Sequence, residues 1–337
     1  MSSSRSEDPI PRIAAVSGGA PRPRWSVVIP TYNPTRRLAE TLADVRAQDP
    51  GPAEMQIVIT DDASRDDTGT RIVREILGSR ADVHRHAGRL GIGGNWNAGV
   101  ALSRGHFVHL LHQDDRVLPG FYETLGGALE ANPSLGAAFC RNWLVDAAGE
   151  RTALSAVERE SAGVLDGWLD RIAVSNRVQC PAIAVRRDVY EELGGFRSDL
   201  CFTLDWEMWV RIAAHRDVHY EPEPLAAFRV HEGMESYRLC ASGENMADLR
   251  RALAIVASHV PRERRGEVLR RSRRQCVAHA LGWARRMLRG GHRAAALVQL
   301  REAIATDPSL RLDPRVWNLY RHSAQLWLRG VLAGDRA

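Results

Sequence analysis

From Trp25 onward, hydrophobic and polar positions fall into alternating blocks. WSVVIP is a largely apolar run, short enough for a strand buried on both faces. TYNPTRRLAETLADVRAQ follows, with Leu38, Leu42 and Val45 at helical spacing. MQIVIT reads as a second buried strand. DDASRDDTGTRIVREILGS begins with acids and a serine, then sets Ile72, Val73, Ile76 and Leu77 on one face, the pattern of a capped helix. DVHRHA is a short third strand, GRLGIGGNWNAGVALSR a glycine-rich loop running into a helix, and HFVHLLH another strand. Strand and helix alternating at this spacing predict a mostly parallel sheet with helices on both faces. Ligands of such sheets sit beyond the carboxyl ends of the strands. Thr31-Tyr32, Asp61-Asp62 and Asp114-Asp115 all fall at those ends.

Beyond Pro119 the pattern changes. A helix is expected over residues 121–131, then a hairpin in GAAFCRNWLVDAAGE with Ala-Gly at its turn. CPAIAVRRDVYEELGGF reads as strand, short helix and Gly-Gly stop, and TLDWEMWVRIAAH as an amphipathic helix. From Glu244 the chain reads as all helical. Met246, Leu249, Leu253 and Val256 form one apolar stripe, and Val277, Leu281, Ala284 and Leu288 another. Val316 to Leu332 carries Tyr320, Trp327 and Val331 on a third face. The expected divisions are a flexible tail over 1–23, an α/β domain over 24–243 with halves 24–118 and 119–243, and a basic helical region over 244–337.

Composition narrows the chemistry. All 46 basic residues among the 337 are arginine. The absence of lysine excludes a P-loop, a kinase ion-pairing lysine and Schiff-base catalysis. The five cysteines are widely spaced with no CxxC, which argues against structural zinc or a disulfide framework and suits a reducing cytoplasm. No apolar run approaches the roughly 18 residues of a membrane span, and the Ser-, Pro- and Arg-rich start lacks the apolar core of a secretory signal. The net charge of +5 is unevenly distributed. From Ala247 on there are 19 Arg against 7 acids, and the rest holds 27 Arg against 34 acids. The basic helices have two readings. One is peripheral contact with anionic lipid at the inner membrane face. The simpler is a solvated face of a subdomain that forms a homodimer or shields the acceptor site. Interleaved aromatics that would argue for nucleic acid are missing.

Two adjacent carboxylates at the end of a buried strand, in HLLHQDD, repel each other and are costly to desolvate. Four segments now occur in order: SVVIPTYN, IVITDDASRDDT, LLHQDD and GGFRSDLCFTLDWEMWVRIA. Together they resemble family 2 glycosyltransferases of the GT-A fold, over about residues 26–236. The resemblance implies a Rossmann-like mixed, mostly parallel sheet with a C-terminal helical subdomain. It also implies inverting transfer of a sugar from a nucleotide diphosphate sugar to a hydroxyl of a saccharide, glycolipid or secondary metabolite, with Mn²⁺ or Mg²⁺ as cofactor. Asp114 then ligates the metal, with Asp115 an alternative ligand. His112 stands where the family has the first Asp of D-x-D, and can still reach the ribose. Asp62 accepts from the base edge, favouring UDP, and Tyr32, next to Thr31, stacks on the base. Arg89, Asn95 and Asn97 lie near the nucleotide, His231 near the diphosphate and its metal, and Asp205 is the general base. Two other readings stay open: a sugar nucleotidyltransferase using Arg36 and Arg37, and a degenerate module binding an anionic partner.

Overall fold

The computed structural model describes residues 9–19 and 21–332, with side chains through residue 325. Strand β1 (Trp25–Thr31), helix α1 (Arg37–Ala47), β2 (Met55–Asp61), α2 (Thr68–Leu77), β3 (Ala81–Arg85), α3 (Gly91–Leu102) and β4 (Phe107–Leu110) follow the expected alternation. Their strands pair in parallel in the order β3-β2-β1-β4. β1 and β2 are buried at every position, as continuous apolar strands covered on both faces must be. Leu38, Leu42 and Val45 of α1 join Val27, Ile29, Ile57 and Ile59 in one core. α3 lies on the opposite face, so close that a Cβ on Gly99 would sit 2.2 Å from Val28 Cγ1. Only glycine permits that approach.

The chain continues through β5 (Arg116–Val117), α4 (Phe121–Ala131), β6 (Leu135–Val145), β7 (Arg151–Leu154), β8 (Gly163–Val164) and α5 (Trp168–Ile172). It then forms β9 (Ile183–Arg186), α6 (Arg187–Leu193), α7 (Leu204–His215) and β10 (Asp217–Arg229). The sheet extends as β4-β9-β6-β10-β5, with β9 antiparallel to both neighbours and β10 parallel to β6. The expected hairpin is β6–β7, turning through Gly149 at φ +93°.

The last part comprises α8 (Glu235–Ser242), α9 (Glu244–Ser258), α10 (Arg262–Arg289), α11 (Arg293–Thr306) and α12 (Pro314–Leu332). Both expected stripes are buried, and Val316 is 1% exposed. Trp327 and Val331, assigned to the third face, lie outside the residues whose side chains are described. The chain divides into two compact units. The larger runs to Ile172 and takes in Asn176–Asp199 and Leu204–Val230; the second holds Ala173–Ser175, Leu200–Thr203 and the chain from His231. The helical unit therefore starts thirteen residues before the expected boundary at 244. It has its own core around Cys240, Met287, Leu288 and Ala296. No helix among the described residues is long and apolar enough to cross a membrane.

The expected flexible tail needs correction over part of its length. Gly195 and Ser198 donate backbone N–H bonds to the carbonyls of Pro11 and Pro9, both at 2.8 Å, and Arg187 Nη2 donates to Ala14 O. Ile13 is 6% exposed. Residues 9–14 therefore strap the Gly-Gly stop, because that turn presents unpaired backbone donors that the strap satisfies. Residues 1–8 and Ala20 lie outside the described residues.

Candidate active site

The ends of β1 and β2 are locked by an exchange of polar bonds. Asn33 and Ala63 both adopt positive φ, at 43° and 54°. Such turns persist only where neighbours hold them. Asn33 N donates to Ser64 Oγ at 2.8 Å, and Arg65 N donates to Asn33 Oδ1 at 2.9 Å. Asp61 accepts from the Ser64 hydroxyl and backbone N–H and faces Arg85 Nε at 3.4 Å. Ser64 thus ties the two turns together instead of capping α2.

Asp62 is 3% exposed and answers the start of α3. Its Oδ1 accepts from Leu90 N at 2.6 Å, and its Oδ2 from Arg89 Nε at 2.8 Å and Gly91 N at 3.2 Å. A carboxylate at a helix N-terminus satisfies otherwise orphaned donors. Arg89 in turn lies over the Tyr32 ring, 3.4 Å from its centroid, so one face of that ring is covered. Thr31, Asn95 and Asn97, expected at the nucleotide, each spend polar groups on bonds within the fold. Thr31 is 2% exposed, and its hydroxyl reaches Thr60 O. Asn95 lies within α3, not at its cap. Its amide donates to the carbonyls of Thr60 and Thr31 and accepts toward His86. Asn97 exchanges both bonds with the Phe196 backbone, at 2.8 and 2.7 Å.

Beyond β4 comes His112-Gln113-Asp114-Asp115. Gln113, which drew no attention in the sequence, exchanges two bonds with the Tyr32 backbone, at 3.0 and 3.1 Å. Its amide acts as one more rung between the ends of β1 and β4. Arg229, which ends β10, acts as a pin. Its N–H donates to Asp115 Oδ1, its Nε to Asp114 O and its Nη2 to Glu40. Thr41 Oγ1 donates to Asp115 O at 2.8 Å. His112 stacks on Trp96 with ring centroids 4.8 Å apart. Its Nδ1 lies 3.5 Å from Asp115 Oδ2. Burial works against the charged imidazole. The hydrogen bond to Asp115 and the charges of Asp115, Asp114 and Asp205 outweigh it and raise the His112 pKa. Burial also raises the Asp115 carboxyl, with the neighbouring Asp114 charge adding to it.

Asp205 is the second residue of α7 and is partly buried. Its Oδ2 accepts from Asn176 Nδ2 at 2.9 Å, and its Oδ1 from Trp206 N at 2.7 Å. Burial nevertheless lifts its pKa to about 6, against those bonds and the His112 charge. Glu207 points into the protein and pairs with Arg211 at 2.8 Å, which also grips the carbonyls of Leu193 and Gly195. The carboxylates of Asp205 and Asp115 both act on the buried Cys180 thiol, which burial first of all holds protonated. His112, Asp114, Asp115 and Asp205 therefore share one electrostatic neighbourhood. Asn176 lies 29 positions from Asp205 in the chain, and no local pattern in the sequence marks it.

A divalent cation can be tested against these groups. Among the described residues no three His, Cys, Asp or Glu side chains converge on a common point. The protein offers the Asp114-Asp115 pair, whose buried Asp115 Oδ2 faces His112 Nδ1 at 3.5 Å. One or two carboxylates suit Mg²⁺ or Mn²⁺ when substrate phosphates complete the shell, so the donor set fits. His231 opens the second unit.

Comparison with known proteins adds an independent line. The family model described as "Glycosyl transferase family 2" matches residues 26–194. An uncharacterized protein of Mycobacterium tuberculosis, MT1568, is 29% identical over 256 residues, covering 71% of this chain and 77% of that protein. A GalNAc(5)-diNAcBac-PP-undecaprenol beta-1,3-glucosyltransferase of Campylobacter jejuni is 30% identical over 106 residues, 31% of this chain and 33% of its own. Among solved structures, residues 1–349 of S. aureus TarS superpose with a TM-score of 0.59 at 15% identity, covering 92% of each chain. TarS has also been solved with UDP and with UDP-GlcNAc. The Pyrobaculum calidifontis mannosyltransferase PcManGT, in complex with GDP-Man and Mn²⁺, gives 0.51 at 19% identity, covering 96% of this chain and 90% of its own.

Proposed function

This chain belongs to glycosyltransferase family 2 and is a glycosyltransferase, and from that premise we propose an inverting, metal-assisted transfer from a UDP-sugar to an acceptor hydroxyl. The observation that carries the reading is the shared neighbourhood of Asp205 with His112, Asp114 and Asp115 at the carboxyl end of the parallel strands. Asp205 takes the proton from the acceptor hydroxyl as its oxygen attacks the anomeric carbon. A carboxyl lifted to about 6 by burial is a stronger base than an exposed one, yet is still ionised at neutral pH. The leaving diphosphate gathers charge beside Asp114 and Asp115, where a bound Mn²⁺ or Mg²⁺ would neutralise it. His112 faces the ribose. Tyr32 offers the base its ring face opposite Arg89. Asp62 has one acceptor site left on Oδ1, because a carboxylate has about four and three are filled. That site suits the uracil N3–H.

The test is UDP or GDP release from UDP-glucose, UDP-GlcNAc and GDP-mannose with Mn²⁺. Release from a UDP-sugar, abolished by Asp114→Ala, is the expected result. Pyrophosphate released from UTP and a sugar phosphate would point to a nucleotidyltransferase instead. No turnover of any sugar nucleotide, together with tight binding to nucleic acid or anionic lipid, would sink the proposal.

The partner of the basic helices is proposed on one further observation. Arg264, Arg271, Arg274, Arg285 and Arg289 are exposed and recur at whole-turn spacings, so they share one face of α10. Glu267 interrupts that face and pairs with Arg271 at 3.7 Å, yet the five arginines leave it net positive, which disfavours pairing with its own copy and suits an anionic membrane surface. Five free thiols fit a cytoplasmic location. Flotation of the full chain with phosphatidylglycerol vesicles, absent with phosphatidylcholine alone, is the expected outcome. A concentration-dependent dimer without flotation would reverse it.

A further inference from the structure

Asp248 sits in α9, far along the chain from every motif, and is 1% exposed. A carboxylate at that depth must be met by donors. Its Oδ1 accepts from Cys201 N at 3.2 Å and Arg251 Nη1 at 3.3 Å. Its Oδ2 accepts from Phe202 N at 3.0 Å, Thr203 N at 2.8 Å and the Thr203 hydroxyl at 2.7 Å. Three consecutive backbone N–H groups converging on one carboxylate form an anion-holding nest.

These three residues are the last before α7, and the second residue of α7 is Asp205. Leu200–Thr203 belongs to the same compact unit as Asp248, while the chain from Leu204 belongs to the larger unit. Asp248 therefore holds the three residues that lead directly into α7. We propose that Asp248 is a positioning residue for Asp205. By fixing the 201–203 turn, it sets where the first turn of α7 begins and so where the Asp205 carboxylate points. The inference rests on the reading of Asp205 as the base.

The proposal is tested on the full chain, with whichever of UDP-glucose, UDP-GlcNAc or GDP-mannose is turned over and water as acceptor. Asp248→Asn keeps the shape and removes the charge. Because a displacement of about 1 Å in a catalytic group can cost about 10²-fold, kcat should fall about 10- to 100-fold. Affinity for the nucleotide diphosphate should stay within about twofold, since the nest touches none of the nucleotide groups. Amide exchange at Cys201, Phe202 and Thr203 should quicken at least about tenfold, as local opening follows the loss of their acceptor. On an Asp205→Asn background the residual hydrolysis should fall no further, because two residues acting through one group are not additive. Should Asp248→Asn fail to fold, Thr203→Val carries the test: it should lower kcat several-fold, and Thr203→Ser should restore it. A loss that adds in full to Asp205→Asn would overturn the proposal. So would one that tracks nucleotide affinity, or an unchanged kcat despite fast exchange at 201–203. Full activity in Asp205→Asn alone would overturn the base reading, and the single variant separates that failure from the others.

Discussion

The two halves of the sheet hold their functional groups in different ways. In the β3-β2-β1-β4 half, each turn beyond a strand is closed by bonds from the neighbouring turn. Ser64 bridges to Asn33, Asp62 to the start of α3, and Gln113 to Tyr32. In the half built on β9, β6 and β10, the group with chemical consequence stands off the sheet. Asp205 sits on the first turn of α7 and depends on Asn176, and on the chain before it being held. On the proposed function, the first half is the cradle for the donor, and the second places the reactive carboxylate through contacts that can be altered one at a time. Damage should therefore read out as donor affinity in the first half and as turnover in the second.

The largest effect expected is from the second half. Asp205→Ala should lower kcat by about 10³-fold, in the range that general base catalysis supplies. UDP affinity should be unaltered in the same variant. Single-turnover kinetics and a UDP titration measure the two terms separately, and a parallel loss of both would erase the distinction between the halves. A smaller effect is expected from Gly99→Ala, in the first half. The added carbon would meet Val28 2.2 Å away, so α3 must lift from β1. Overpacking of this kind costs about 1–3 kcal/mol, and the thermal midpoint should fall. The start of α3 that Asp62 holds, with Arg89 over Tyr32, is displaced with the helix, so donor affinity should fall as well.

The cradle was legible in the sequence because its logic is local. β1 and β2 are short apolar runs, the carboxylates follow them directly, and the glycines of α3 announce a close approach. The resemblance to glycosyltransferase family 2 and the reading of a mixed, mostly parallel sheet rested on these. Less was legible after Pro119. β10 runs through Glu221, Pro222, Glu223 and Pro224, a stretch that reads as loop, and the structure accommodates it with register shifts against β6 there. Proline is tolerated in a sheet at such irregularities. Asn176 and Asp248 act over 29 and 45–47 positions. No periodicity encodes contacts of that span. The bonds of Arg229 and Asn97 were illegible for a related reason. Each residue stands in a suggestive motif, but its polar groups are taken up by backbone that only the folded chain brings near.

Gln113 sharpens the comparison at a finer scale. Gln113→Leu keeps the volume and removes both bonds to Tyr32. The orphaned Tyr32 N–H and carbonyl should cost about 1–3 kcal/mol between them. The Tyr32-Arg89 stack would loosen with them, so UDP should bind about tenfold more weakly, which corresponds to about 1.4 kcal/mol. Turnover at saturating donor should stay the same. A drop in kcat with unchanged UDP binding would mean that the β1–β4 rung serves the reaction and not the donor.

The smallest effect tests the second half from the side of stability. The Asp205 pKa is raised to about 6 from an ordinary 3.8, chiefly by burial. The folded protein then holds that proton more tightly than the unfolded chain, so the contribution of Asp205 to stability is greatest below about pH 4 and declines as pH rises toward 6. Asp205→Asn removes the penalty and keeps one of the two acceptor oxygens, for the Trp206 N–H. The variant should match the parent at pH 4 and exceed it at pH 8 by about 1 kcal/mol, less than the full shift implies because the carboxylate is partly exposed. Activity runs the other way. The parent should lose turnover as pH falls through about 6, as its base takes up a proton. Denaturant midpoints at the two pH values, set beside the pH–rate profile, show whether one carboxylate sets both. If the stability gain is absent while the acid limb remains near 6, a group other than Asp205 sets that limb, and the bonds from Asn176 and Trp206 offset the burial of Asp205. The second half would then be as tightly satisfied as the first.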